Sequence, residues 1–314
     1  MSSPRLQDYS RLIEYPVHKR LLSLLDGYHR GEGAGNSLEF LDMTEYTVGD
    51  DSSDIDWKAT ARLSQPVIKR FESTAVLSVV LAVDTGAGMA AHSSGATVHS
   101  PSHLSRGTAL RPGSGLPPTK QEIARELIRA LTWLVTTHGD LIGLAAGNAK
   151  EVTTMPARAG VGHAETLVRV ASTASTDGAP SDLNAILRQV DVGRRRSLIF
   201  VITDESQVTP ETAVALRRLT LRHDVGLFIM EDYDPTSPRA REMVDVAAGP
   251  LPDFTEGHEA IMTQWRKARD IRTRQVHEML KTLNVRYARL GDYSDILPAL
   301  LAVVGGSGRA TGTA

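Results

Sequence analysis

The sequence predicts an α/β fold: a doubly wound, mostly parallel sheet with a small β-rich satellite at the amino terminus. Three observations predict it. First, Leu77–Val83, Leu198–Thr203 and Val225–Met230 are short, unbroken apolar runs. Such runs mark strands buried on both faces, as in parallel sheets. Second, segments with helical periodicity alternate with them, and alternation of this kind covers both faces of a sheet with helices. Third, two of the runs stop at an aspartate, Asp84 and Asp204, and the first continues into Gly86 and Gly88. An apolar strand delivering a carboxylate onto a glycine-rich turn places a site at the carboxyl edge of an open α/β sheet.

Composition excludes several classes. The 314 residues carry a net charge of −2, so no global field draws the chain to nucleic acid or to a membrane surface. There is no cysteine, hence no disulfide, thiolate nucleophile or Cys-ligated zinc. The first twenty residues are polar and lack an apolar core, so no signal peptide is expected. No apolar run approaches the ~18 residues of a membrane helix. The expected location is the cytoplasm.

Taken in order, Leu12–Leu25 has apolar residues at helical spacing around Pro16, which predicts a short amphipathic helix. Gly31-Glu32-Gly33-Ala34-Gly35 follows no strand and reads as a loop rather than a dinucleotide turn. Ser37–Val48 and Pro66–Phe71 alternate as half-solvated strands. Between them, Asp50, Asp51, Asp54 and Asp56 lack the spacing of a calcium loop, and the segment reads as a turn leading into a helical turn that packs Trp57. Residues 90–118 are rich in Ser, Gly, His and Pro and read as a long loop or a disordered insertion, with His92, His99 and His103 solvated in it.

Beyond it, Ile123, Leu127, Leu131, Leu134 and Val135 line one face of a helix over Lys120–Thr137. Leu141–Ala146 is a strand, Glu151–Met155 an edge strand, and Ala164–Ala171 a helix. Ser181-Asp182 opens a helix over Leu183–Val190, either residue serving as its N-cap. Pro210 opens a helix reaching Arg222. Glu231–Gly257, with four prolines, is irregular. His258–Leu283 is a long charged helix, Asn284–Leu290 a strand and Tyr293–Val304 a closing helix before a glycine-rich tail. The expected organisation is an amino-terminal segment over 1–72, the α/β domain over 73–304 and the tail over 305–314.

In this topology Asp84, Ser181 and Asp204 converge at the carboxyl edge. They form a hard-oxygen set suited to Mg²⁺ or Mn²⁺. The layout resembles the von Willebrand factor A-type (VWA) domain, a Rossmann-like fold whose metal-ion-dependent adhesion site uses D-x-S-x-S at a strand end, a distant Thr and a distant Asp. It is similar also to the bacterial domain of unknown function 58 group. The residues carrying that likeness are Gly49-Asp50-Asp51 through Ile55-Asp56-Trp57, Ala61-Arg62, Glu39-Phe40, Glu45-Tyr46, Lys120 at a helix start and the segment Asn284–Val304.

There are departures. D-x-S-x-S reads Asp84-Thr85-Gly86-Ala87-Gly88, Ser181 stands for threonine, and Thr44 and Ser53 stand for arginines. The resemblance therefore implies a degenerate site in which Asp84, Ser181 and Asp204 hold Mg²⁺ weakly. Restoring serine at 86 and 88 is expected to tighten it, if the loop backbone tolerates side chains there. It also implies an intracellular adaptor, not an enzyme, acting with a MoxR-type AAA+ ATPase and recognising a partner through the site. The chain has no phosphate loop, no G-x-S-x-G elbow and no H-E-x-x-H. The alternatives are a metal-dependent hydrolase using Asp84, Asp204 and a loop histidine, and a purely structural docking subunit.

Overall fold

The structure, a computed structural model, describes residues 37–46, 55–63, 65–74, 76–94, 117–173, 178–190, 196–233, 244–245, 249–250 and 259–304. The expected amino-terminal helix, the Gly31–Gly35 loop, Asp50, Asp51, Asp54, His99, His103, most of the 234–257 connection and the tail lie outside these residues. The chain divides into two compact units, 23–77 and the remainder.

In the smaller unit, strands β1 (Ser37–Glu45) and β2 (Val67–Thr74) pair antiparallel, with a bulge between Phe40 and Asp42. Helix α1 (Trp57–Leu63) lies between them in sequence. Asp56 caps it: its carboxylate accepts from the amides of Lys58 at 2.9 Å and Ala59 at 3.1 Å. Trp57 is not packed as its indole would suggest; it is 72 % exposed. An acceptor at 56 suffices to start the helix, and nothing in that cap requires the ring to be covered.

The larger unit runs β3 (Ser78–Asp84), α2 (Lys120–Thr137), β4 (Leu141–Gly147), β5 (Val152–Arg158), α3 (Val161–Thr173), α4 (Leu183–Gln189), β6 (Leu198–Asp204), α5 (Pro210–Thr220), β7 (Asp224–Met230), α6 (Glu259–Thr282), β8 (Arg286–Leu290) and α7 (Ile296–Val304). A two-residue antiparallel pair joins Val244–Asp245 to Gly249–Pro250. The six strands lie in the order β8-β7-β6-β3-β4-β5. All neighbours are parallel except β4 and β5. The expected doubly wound, mostly parallel sheet is thus observed, and its antiparallel edge strand is one the sequence shows only as a polar alternation.

Helices α2, α3 and α7 contact one face, and α4, α5 and α6 the other. The middle strands β3 and β6 are apolar along their length because both sides are covered: Val79, Leu81, Ile199 and Val201 are fully buried. Ile186, Leu216, Val276 and Leu280 close one side, and Ile123, Leu127 and Leu131 pack under α2. Helix α2 matches its expected bounds, since Thr119 and Glu122 form a reciprocal capping box at its start. Among the described residues no helix is long and apolar enough to cross a membrane.

Strand order reverses between β3 and β6. To one side of that line the chain adds β4 and β5, to the other β7 and β8. Loops leaving adjacent strands in opposite directions open a crevice at their carboxyl ends, where open α/β sheets place ligands. Asp84 ends one of these strands and Asp204 the other.

Candidate functional site

Asp84 is 1 % exposed. One carboxylate oxygen accepts from the Gly86 amide at 2.9 Å, the other from the Thr203 hydroxyl at 3.0 Å. Burial pushes its pKa up to about 6 from an ordinary 3.8; the Gly86 amide opposes this, the Asp204 charge reinforces it, and the Ser181 and Thr203 hydroxyls oppose it. Asp84 therefore ionises reluctantly, held by neutral donors.

Asp204, 4 % exposed, is served differently. Its Oδ1 accepts from the amide of Ser206 at 2.8 Å and from its hydroxyl at 2.5 Å, capping the turn Glu205–Gln207. Its Oδ2 receives the Lys120 ammonium at 3.3 Å. Lys120 is 1 % exposed, and its ammonium also contacts Oδ1 of Asp232, whose side chain is 57 % exposed. Burial alone would lower the lysine pKa, but the charges of Asp204 and Asp232 outweigh it and hold the pKa above its ordinary value.

Ser181 is brought to the site by backbone pairing. The Ala87 amide donates to the Ala179 carbonyl at 2.7 Å, and Ala149 to Pro180 at 2.9 Å, drawing the 179–181 segment over the ends of β3 and β4. Asp182 takes the N-cap role, accepting from Ala185 at 2.9 Å, which releases Ser181 from capping. The Ser181 hydroxyl is buried without a hydrogen bond of good geometry, close enough to Asp84 to favour its charge.

The two glycines now have a steric reason. Gly86 has an ordinary extended backbone, φ −70°. A Cβ there would collide with the backbone and hydroxyl of Ser181. At Gly88 a Cβ would stand 2.6 Å from Asp204 Oδ2 and 3.8 Å from Ser181 Oγ. Serine at 86 therefore meets Ser181 rather than open space, and serine at 88 meets the Asp204 carboxylate.

The site is flanked by a second ionic group. Glu205, 7 % exposed, pairs with Arg289, whose Nε donates to Glu231 at 2.8 Å. Arg272 donates to the carbonyls of Glu205 at 3.0 Å, Ser206 at 3.3 Å and Val208 at 3.2 Å. These contacts fix the turn after Asp204. Ser93 donates to the carbonyl of Gly291 at 2.7 Å and lies 3.2 Å from that of Glu231, joining the loop after β3 to the ends of β7 and β8. His92 is half-buried rather than free in solvent: its Nδ1 donates to the Pro117 carbonyl at 2.7 Å.

Asp84, Ser181 and Asp204 therefore meet at one edge. Sequence reasoning missed Thr203, Asp232, Glu205 and Arg289, and it noted Lys120 only as a helix start. One signal was available. A lysine in the first turn of a helix faces the positive end of the macrodipole, so its place is chosen by something else.

In this arrangement the residues do not fit a divalent ion. Two of the hydroxyl positions are glycine, and both oxygens of Asp204 are engaged, one by an ammonium. Among the described residues, no cluster of three or more His, Asp or Glu side chains is placed to hold a metal.

The fold and site define an α/β protein whose acidic edge lies at the switch point of a doubly wound sheet. The family model described as "Protein of unknown function DUF58" matches residues 42–100 and 107–275, and the chain belongs to this family. It is 27 % identical over 260 residues to "Uncharacterized protein Rv1480" of Mycobacterium tuberculosis, a match spanning 81 % of this chain and 75 % of the relative. The same figures hold for "Uncharacterized protein Mb1516" of Mycobacterium bovis. Among solved structures, BatB from Bacteroides thetaiotaomicron is similar at 14 % identity and a TM-score of 0.42, over 71 % of this chain and 94 % of that one. An aerotolerance-related membrane protein from Bacteroides fragilis gives the same identity and score, over 73 % and 98 %.

Proposed function

We propose that this chain is a cytoplasmic binding protein of the von Willebrand factor A type, acting as an adaptor for a MoxR-type AAA+ ATPase in assembling or remodelling a target complex. The observation that carries this reading is the acidic edge at the switch point, which reaches solvent through Asp232. A half-exposed carboxylate on a buried ammonium is an exchange point. An acidic side chain of a partner can replace Asp232 on Lys120 without leaving a buried cation bare, and complementary charge of this kind sets register and partner choice. The sequence carries no phosphate loop, which fits nucleotide hydrolysis being done by the partner.

Affinity capture from a native lysate tests the reading. The expected result is a AAA+ ATPase retained by the wild-type chain and lost from Asp232→Arg, whose guanidinium repels Lys120 and blocks the exchange. The purified chain alone should show no ATP or phosphoester turnover. Metal-dependent turnover that disappears in Asp84→Ala would replace the adaptor with a hydrolase.

A further inference from the structure

We infer that the ammonium of Lys120 is the resident cation of this site, and that the site is complete without a divalent ion. This goes beyond the adaptor reading and holds whatever the partner is.

Asp204 Oδ2 is the oxygen that faces position 88, where a Cβ would stand 2.6 Å away. Position 88 is where a serine would offer a hydroxyl to an ion shared with Asp204. Lys120 Nζ sits 3.3 Å from that same oxygen. The positive charge is thus on the carboxylate oxygen directed at the missing hydroxyl, and the glycine leaves that oxygen uncrowded.

A lysine that is 1 % exposed is tolerated when carboxylates replace its water. Lys120 has two, Asp204 and Asp232. It holds this place in the first turn of α2, where the helix dipole works against it, so the carboxylates and not the helix fix it there. Its backbone is pinned as well: the Lys120 amide donates to the Ala91 carbonyl at 2.9 Å, tying the base of the side chain to the loop that carries the glycines. Asp84 does not use this cation. It is satisfied by the Gly86 amide and the Thr203 hydroxyl. Each carboxylate is thereby accounted for, and an added Mg²⁺ would have to displace an ammonium from Oδ2 against direct repulsion.

The test is metal binding with and without the lysine. Wild-type protein titrated with Mn²⁺ should show no bound ion by electron paramagnetic resonance, and its melting temperature should be the same in EDTA and in millimolar Mg²⁺. Lys120→Ala should melt on the order of 10 °C lower in EDTA, since removing one partner of a buried pair leaves the other uncompensated. Mg²⁺ or Mn²⁺ should restore part of that loss, and the double variant Lys120→Ala/Asp204→Asn should lose the restoration.

Wild-type Mn²⁺ binding that depends on Asp84 or Asp204 would overturn the inference. So would a Lys120→Ala protein as stable as wild type in EDTA. A variant that is destabilised but gains no metal response would reduce Lys120 to a plain buried ion pair and overturn it equally. Should Lys120→Ala not fold, ¹⁵N spectra of the wild-type lysine side chains decide. A slowly exchanging ammonium signal unmoved by millimolar Mg²⁺ supports the inference, and displacement of that signal by Mg²⁺ overturns it.

Discussion

The ends of β3 and β6 are built from the same local pattern, an apolar strand stopping at an aspartate, yet they are electrostatically unlike. Asp84 is surrounded by neutral donors and has its pKa raised to about 6. Asp204 lies one strand away, with an ammonium on one oxygen and Ser206 on the other. The first end is desolvated without a cation, and the second carries a counter-charge. A motif read along the chain reports where a carboxylate leaves a sheet. What that carboxylate meets is decided by elements far off in sequence.

Substitutions at the two glycines should break this contrast most strongly. Gly86→Ser drives a side chain into the backbone of Ser181 and should cost about 1–3 kcal/mol in chemical denaturation, as overpacking of a closed site does. Gly88→Ser meets the end of a side chain, Asp204 Oδ2, rather than backbone, and should cost less, about 1 kcal/mol. Equal losses, or a gain at 86, would mean that Ser181 does not sit over the β3 turn.

Acidity sharpens the same contrast. The folded pKa of Asp84, about 6, lies above its ordinary 3.8, so across that window the native state binds the proton more tightly than the unfolded chain. The contribution of Asp84 to stability therefore falls as pH rises from about 4 to about 6 and stays low above it. In Asp84→Asn that fall should be absent, leaving the variant between unchanged and about 1 kcal/mol more stable at pH 7, because one amide oxygen cannot replace both acceptors. Denaturation curves at pH 4 and pH 7 check this, and a variant that loses stability at pH 7 would contradict it.

The smallest effect should come from the exposed member of the cluster. Asp232→Asn keeps a carbonyl oxygen toward Lys120 and removes a charge that is already well solvated, so the change should stay below about 0.5 kcal/mol. A loss several times larger would show that Lys120 depends on Asp232 as much as on Asp204.

Much of the fold was legible because its signals are local. Helix α2 has a strong apolar period, and its approximate limits were readable from that period alone; the capping pair Thr119 and Glu122 shows why it starts where it does. The strand ends at Asp84 and Asp204 and the helix start at Ser181-Asp182 were readable for the same reason. The direction of β5 was not, since alternation gives an exposed face but no polarity. The partners in the site were not either. Thr203 reaches Asp84 across 119 positions, and Lys120 reaches Asp232 across 112. Within the fully buried β6, Thr203 looks like any β-branched core residue. Trp57 misled in the opposite sense, because a large ring suggests burial and this one is exposed.

The seat of Ser181 over Gly86 couples two stretches far apart in sequence. A hydroxyl at position 86 and the present path of residues 179–181 exclude one another, because the backbone of Ser181 fills the space. That path is held by the pairing of Ala87 with Ala179 and of Ala149 with Pro180. A single substitution at 86 therefore cannot seat a hydroxyl there while the 179–181 segment keeps its path. The neighbouring loop has to withdraw first, and withdrawal costs two backbone hydrogen bonds before any benefit arrives. Residue 86 and the 179–181 segment behave as one unit, and neither can change size without the other.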